Sequence, residues 1–261
     1  MRLNVHPFES AILLLAALVG GIINAVAGGG SFVTLPALLF FSLPPAVANA
    51  TSAVAAWPGL MTAAYGYRRQ LLSNPAKLIR YAATSLIGGV TGGALLLSTP
   101  SAAFTRAIPV LMFVATIMYL VSPRLLALTR RHSGMAHGSE EHVTRGTTVI
   151  QFFASLMVGY FNAGSGIIVM AGLSLCGIRE TQLLNGFKNL LGAIAAGASI
   201  AALAVGGQVA WASASLMMVG SLIGGLAGAR VAQRIDAKML RILILAFSFC
   251  MTGYFFWKFW I

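Results

Sequence analysis

The stretch Asn24-Ala25-Val26-Ala27-Gly28-Gly29-Gly30-Ser31 lies between two apolar runs, 12–26 and 32–41. The second run is only about 11 residues long. At 1.5 Å rise per residue a helix that short covers roughly 16 Å, about half of a ~30 Å hydrocarbon core. The pattern predicts a chain that enters a membrane, breaks at three glycines and leaves again by a short helix. Glycine permits the break because it adopts φ > 0 without steric cost. The free N–H groups of a helix start, near Gly30 and Ser31, then lie deep in the protein, where such a start favours an anion.

The composition agrees with a membrane setting. The chain is 58% hydrophobic and 8% charged, with a mean hydropathy of +0.87, whereas soluble domains carry about 25% charged residues. No cleavable signal peptide is expected, because the apolar run after Ser10 continues straight into the glycine break. The net charge of +12 does not point to nucleic acid, since the basic residues sit in loops between apolar segments. Cys176 and Cys250 both lie in apolar segments and read as small membrane-core residues.

Ten apolar segments are expected, at 10–27, 31–42, 45–66, 77–98 and 106–122, then 147–163, 166–177, 181–205, 209–229 and 239–260. The second five echo the first. Ser85-Leu86-Ile87-Gly88-Gly89 recurs 136 residues later as Ser221-Leu222-Ile223-Gly224-Gly225. At the same offset Gly92 matches Gly228, Asn49 matches Asn185 and Gly30 matches Gly166. Agreement in register at separate places indicates a duplication. The repeats divide the chain into 1–122, a linker at 123–146 and 147–261.

Charge orients the halves. The loops around 67–80, 123–147 and 230–241 are basic, with Arg68, Arg69, Arg130, Arg131, Arg234 and Lys238 among them. The loops at 99–105 and 206–208 hold no Lys or Arg. The positive-inside rule puts the first set in the cytoplasm and the second outside. The basic 67–80 loop corresponds across the repeat to the bare 206–208 loop, so the halves are expected to be inverted. The expected fold is an all-α polytopic membrane protein with two inverted repeats of five helical segments, each carrying a broken, re-entrant-like hairpin. Such repeats are the signature of secondary transporters. The polar linker is expected to be a mobile cytoplasmic connection. The spacing of its His132, His137 and His142 fits no metal-ligand pattern on one helical face.

The glycine break followed by Pro36, the Leu43-Pro44-Pro45 turn and Ala48-Asn49-Ala50-Thr51 closely resemble the TauE/SafE family of bacterial sulfite exporters. Asn162-Ala163-Gly164-Ser165-Gly166 resembles that family's second repeat. The resemblance covers nearly the whole chain. It implies an inner-membrane carrier that exports sulfite, sulfoacetate or a related sulfur-containing anion. Many members carry Asn-Lys directly after the threonine matching Thr51. This chain has Ser52-Ala53, which removes a cation from the first half.

Lys188 is the sharpest polar feature. It lies about eight residues into the 181–205 segment, roughly 12 Å along a helix. A charge at that depth costs on the order of 3 kcal/mol unless it meets a cavity or a partner. Snorkelling to the surface is the alternative. The five acidic residues, Glu9, Glu140, Glu141, Glu180 and Asp236, all fall at boundaries or in loops. No carboxylate is therefore placed to pair with Lys188, and an anionic substrate suits it. Asn185 and Asn189 flank it, and Asn49, Thr51 and Ser52 occupy the equivalent zone of the first half. Amides and hydroxyls can bind an oxyanion without trapping it as several cations would. Asn49 and Asn185 read equally well as interhelical hydrogen-bonding groups, and Asn24 and Asn162 as braces for the breaks. The substrate-binding candidates are thus Gly29, Gly30, Ser31, Asn49, Thr51, Ser52, Ser165, Gly166, Asn185, Lys188 and Asn189. The clusters Gly88/Gly89/Gly92 and Gly224/Gly225/Gly228 read as close helix packing.

An intramembrane enzyme would need a nucleophile with a base, a carboxylate dyad or a metal cluster in the spans, and none is visible. No catalytic residue, metal site or cofactor is expected. Within transport the alternative is uptake, or the carriage of another small anion; a non-transporting scaffold would have no need of inverted, broken helices. The expected partners are a small anion, sulfite or an organosulfonate, and the lipid bilayer; a homodimer is compatible with this reading. Cysteines placed in 123–147 are expected to label from the cytoplasmic side, and cysteines near either terminus from outside. A linker labelled only from outside overturns this topology.

Overall fold

The computed structural model describes residues 7–26, 28–72, 75–132, 145–164, 166, 169–170, 172–173, 181–231 and 237–260. Among them there is helix and turn and no strand. The helices are α1 (Pro7–Val26), α2 (Ser31–Phe40), α3 (Pro45–Gly66), the single turn α4 (Arg68–Leu71), α5 (Pro75–Ser98) and α6 (Ser101–His132). The second part holds α7 (Arg145–Tyr160), α8 (Thr181–Val205), α9 (Trp211–Val231) and α10 (Ala237–Trp260). Described residues between Gly166 and Leu173 are also helical.

Helices α1, α5, α6, α8, α9 and α10 each contain a stretch long and apolar enough to cross a membrane. Their outward faces carry exposed Leu86, Ile87 and Val90, Phe113 and Val114, Leu222 and Ile223, and Ile242 and Leu243. Apolar surface on that scale is what a lipid-facing protein presents. The chain is an all-helical, multi-pass membrane protein. α2 is ten residues long, about 15 Å of rise. α3 has span length but is rich in Ala, Asn, Thr and Ser, and Ala48 to Ala56 are buried without interruption. Its small side chains let other helices surround it.

Both ends of α6 and one added turn differ from expectation: α6 begins at Ser101, inside the loop expected at 99–105. α6 runs ten residues past 122 to His132, because Leu125, Leu126, Ala127 and Leu128 are strong helix formers and Arg130 and Arg131 suit a helix C-terminus. The connection expected at 123–147 is thus helical at both ends, and 133–144, with His137 and His142, lie outside the described residues. The turn α4 was not expected. Its Leu71 is buried and sits against Gly186 of α8, where a Cβ would come within 3.2 Å of the Leu71 Cγ.

The glycine clusters bring backbones into contact. A Cβ on Gly224 of α9 would lie 2.1 Å from the Leu18 carbonyl oxygen of α1, and one on Gly228 would lie 2.8 Å from the Ile22 Cα. α1 and α9 therefore run parallel. On the other side, a Cβ on Gly89 of α5 would lie 2.2 Å from the Ala195 oxygen of α8, and one on Gly92 would lie 2.2 Å from the Leu156 oxygen of α7. With Gly88 against Phe152 and Gly93 against Ser199, α5 runs parallel to both. α3 crosses between the groups: Gly59 meets Ser221 of α9, and the Trp57 indole donates to the Ala193 carbonyl of α8 at 2.8 Å. α6 and α10 form an antiparallel outer pair. Arg241 donates to the Tyr119 and Leu120 carbonyls, and the Trp260 indole to the Arg106 carbonyl.

Gly89→Ala places a methyl group against a backbone that cannot move away, and is expected to lower stability by about 1–3 kcal/mol. A Cβ at Gly253 meets nothing within 4 Å, so Gly253→Ala is expected to leave stability unchanged or slightly raised. Thermal unfolding of the two variants in one detergent checks both.

Candidate functional site

α1 ends at Val26 and the chain turns through glycines. Gly28 has φ +69° and Gly29 φ +136°, conformations that a side chain at either position would strain. The Gly28 N–H reaches back to the Ile23 carbonyl at 3.1 Å, and the Gly29 N–H donates to the Asn24 side-chain oxygen at 3.2 Å. α2 starts at Ser31 with Gly30 as N-cap and no side-chain cap, so its first N–H groups are not covered by a capping side chain. Gly30 is pressed onto α1, where a Cβ would lie 2.0 Å from the Gly20 oxygen.

The second break is held from the first half of the chain. α7 ends at Tyr160. The Asn49 amide donates to the Tyr160 carbonyl at 3.0 Å, and its oxygen accepts the Asn162 N–H at 3.3 Å. Gly164 has φ +74°. One asparagine of α3 thus satisfies a donor and an acceptor that the end of α7 releases.

Lys188 joins the two breaks. It is 2% exposed, and its ammonium donates to the Asn24 backbone carbonyl at 3.2 Å. A Cβ on Gly28 would lie 3.4 Å from the Lys188 Nζ, and one on Gly166 would lie 3.5 Å from its Cδ and 3.7 Å from the Gly28 Cα. The lysine therefore passes between glycines of both breaks and does not snorkel to the surface. A cavity of about 20 Å³ opens beside it, lined by Asn24, Gly29, Ser31, Leu60, Val158, Asn162, Gly164, Gly166, Val169, Lys188 and Gly192. That holds about one water molecule, so a larger guest requires the helices to part.

Of the residues expected from the sequence, Gly29, Ser31, Gly166 and Lys188 share this cavity. Gly30 packs on α1, and Asn49 ties the second break. The Thr51 hydroxyl accepts the Ala210 N–H at 3.0 Å, just ahead of α9, and the Ser52 hydroxyl pairs with Thr34 at 2.7 Å. Asn185 is half-buried outside the lining. Asn189 is fully buried, and neither of its amide atoms has a hydrogen-bond partner. Ser165 lies outside the described residues. Asn24 braces the first break, as its position before the glycines suggests, and also lines the cavity together with Asn162. Leu60, Val158 and Gly192 had no signal in the sequence, because only packing brings them here. Among the described residues no group of three or more His, Cys, Asp or Glu is placed to hold a metal.

A buried cation, a serine hydroxyl, amides and an uncapped helix start around one small space can bind an oxyanion. A family profile described as sulfite exporter TauE/SafE matches residues 13–255. The chain belongs to the TauE/SafE family. A "Probable membrane transporter protein" of Haemophilus influenzae is 28% identical over 93% of this chain and 92% of its own length. The "Probable membrane transporter protein YfcA" of Escherichia coli K12 is 27% identical over 95% and 90%. The "Probable membrane transporter protein ORF9" of a Sinorhizobium species is 25% identical over 93% and 90%. No solved structure matches the chain. The protein is a multi-pass bacterial membrane transporter of this family.

Asn49→Ala leaves the Tyr160 carbonyl and the Asn162 N–H without their partner inside the bundle. The expected cost is about 1–3 kcal/mol, read as a lower unfolding midpoint. If Asn49 braces the break and does not hold substrate, folded Asn49→Ala protein keeps its anion affinity.

Proposed function

We propose that this TauE/SafE protein is a secondary transporter that exports a small sulfur-containing oxyanion, sulfite or an organosulfonate, across the inner membrane. The observation that carries the reading is Lys188, buried where the two glycine breaks meet, with no acidic side chain among the described residues that line its cavity. The remaining ammonium protons, the Ser31 hydroxyl and the start of α2 receive the oxyanion; Asn162 and Gly166 approach it from the second break. Binding draws Lys188 off the Asn24 carbonyl and so loosens a tie between α8 and α1. An inside-negative potential drives an anion outward by about 2.3 kcal/mol per charge per 100 mV.

Alternating access in this reading uses two inverted halves. Several contacts support inversion. α1 runs parallel to α9, and α7 parallel to α5. Each repeat's glycine cluster packs against the opposite half. Trp57 and Ala193, separated by the repeat offset of 136, touch each other, as residues near a two-fold axis do. Rocking of one half against the other would expose the central cavity to each face in turn.

Lys188→Met keeps most of the side chain's length and removes its charge. Its apparent affinity for sulfite is expected to fall about tenfold to a hundredfold, with expression little changed. Lys188→Arg is expected to be intermediate at best, since the guanidinium differs in reach and hydrogen-bond geometry. Ligand titration of the purified proteins decides it, and unchanged affinity in Lys188→Met removes Lys188 from the site.

A further inference from the structure

We infer that the central site is built for one negative charge, so that it takes singly charged oxyanions and rejects doubly charged ones. The inference rests on the anion-binding reading above and concerns the valence of the guest.

The argument is a charge count. Lys188 is the only charged side chain that is fully buried among the described residues. The backbone adds fixed partial charges, but they oppose one another. At the first break α1 ends and α2 begins; at the second α7 ends and the helical residues from Gly166 begin. Each helix end carries about half a negative charge and each start about half a positive one. The four termini cancel to first order, and the seam is left with the single charge of Lys188. A singly charged guest neutralises it. A doubly charged guest leaves a net negative charge enclosed between helices, where desolvation is not repaid.

Among the described residues no other group near the ammonium adjusts this count. Helices α3, α4, α5 and α7 pack against α8, and α1 meets Lys188 through Asn24. α1 carries Glu9 in its first turn, about four turns away from Asn24. α3 carries Tyr65, exposed near its end, followed by the half-buried Tyr67. α4 carries Arg68 and Arg69, both exposed. α5 carries the exposed Arg80, Lys77 in its first turn, and Tyr81, whose ring packs on Phe187. α7 carries Arg145 at its start and Tyr160 at its end, the latter packed on Phe104. The four histidines, His6, His132, His137 and His142, lie outside the membrane-crossing stretches. Apart from Lys188 itself, the group that titrates in the site around neutral pH is therefore the guest. Sulfite exchanges between its singly and doubly charged forms in that range, so it enters as hydrogen sulfite and takes its own proton along. A simple alkanesulfonate such as methanesulfonate is singly charged throughout and needs no proton, whereas sulfoacetate carries a second charge on its carboxylate and falls among the rejected guests.

The test is calorimetric titration of the full-length protein in nanodiscs with methanesulfonate, sulfite and sulfate, at mildly acid and mildly alkaline pH, for wild type and Lys188→Met. Methanesulfonate, whose own charge is fixed, reads any change of charge in the site, and sulfite is expected to lose more affinity than methanesulfonate on going to alkaline pH. Sulfite is expected to weaken on the alkaline side in proportion to the loss of hydrogen sulfite. Sulfate is expected to bind about a hundredfold more weakly than methanesulfonate at both. Sulfate binding as tightly as methanesulfonate, with both lost in Lys188→Met, overturns the single-charge inference and leaves the anion site standing. Binding of none of the three by wild type, or binding that Lys188→Met does not change, overturns the anion site itself and the inference with it.

Discussion

A backbone that leaves its helix inside a bilayer releases N–H and C=O groups that neither lipid nor bulk water can satisfy. Both interruptions in this chain meet that constraint with groups borrowed from elsewhere. Asn24 turns its side chain back to the Gly29 N–H and offers its carbonyl to Lys188, more than a hundred and sixty residues away. Asn49 reaches across to cover the end of α7 on both its donor and its acceptor side. The breaks are therefore tertiary objects. The first closes in part on its own Ile23 and Asn24, and each is tied as well to a helix from the other part of the chain.

That dependence requires close approach, and the small residues supply it. Gly89 and Gly224 sit where a single methyl group would overlap a neighbouring carbonyl oxygen. Without such contacts α5 could not lie on α7 and α8, nor α9 on α1 and α3, and the breaks would not be brought together. Packing of this kind replaces the hydrophobic drive that helices lack among lipid tails. The apolar side chains divide accordingly: Phe32, Leu38, Phe104 and Met112 fill one interior cluster, Phe187, Leu191 and Val158 another, and the remainder face outward. The cavity borders both, with Ser31 beside Phe32 on one side and Val158 on the other.

A lysine is tolerable in this seam because its stem packs on glycines and its head meets the carbonyl end of α1, where a cation is favoured. The same arrangement leaves ammonium protons for a guest. The closed cavity holds little more than a water molecule, so in the function proposed above the guest and the tie between α8 and α1 compete for one side chain, and binding and opening are coupled through the same few contacts.

Much of this was legible in the sequence. The apolar runs set the membrane class, the triple glycine and the shortness of the following run set the broken hairpin, and the absence of acids from the spans singled out Lys188. Those are local properties: hydropathy, helix length and steric freedom are read residue by residue. The helical extension of α6 and the turn α4 were not read, because polar flanks of a span look alike whether they coil or continue. What only the tertiary structure decided is which polar residues share a space. Asn49, Thr51 and Ser52 stand close to the break in sequence register, yet their hydrogen bonds go to α7, the approach to α9 and α2, while Asn24, Asn162 and Gly192 line the cavity beside Lys188. Side-chain direction on helices that pack through glycine is set by a few ångströms of interhelical approach, and that distance is a property of two segments together.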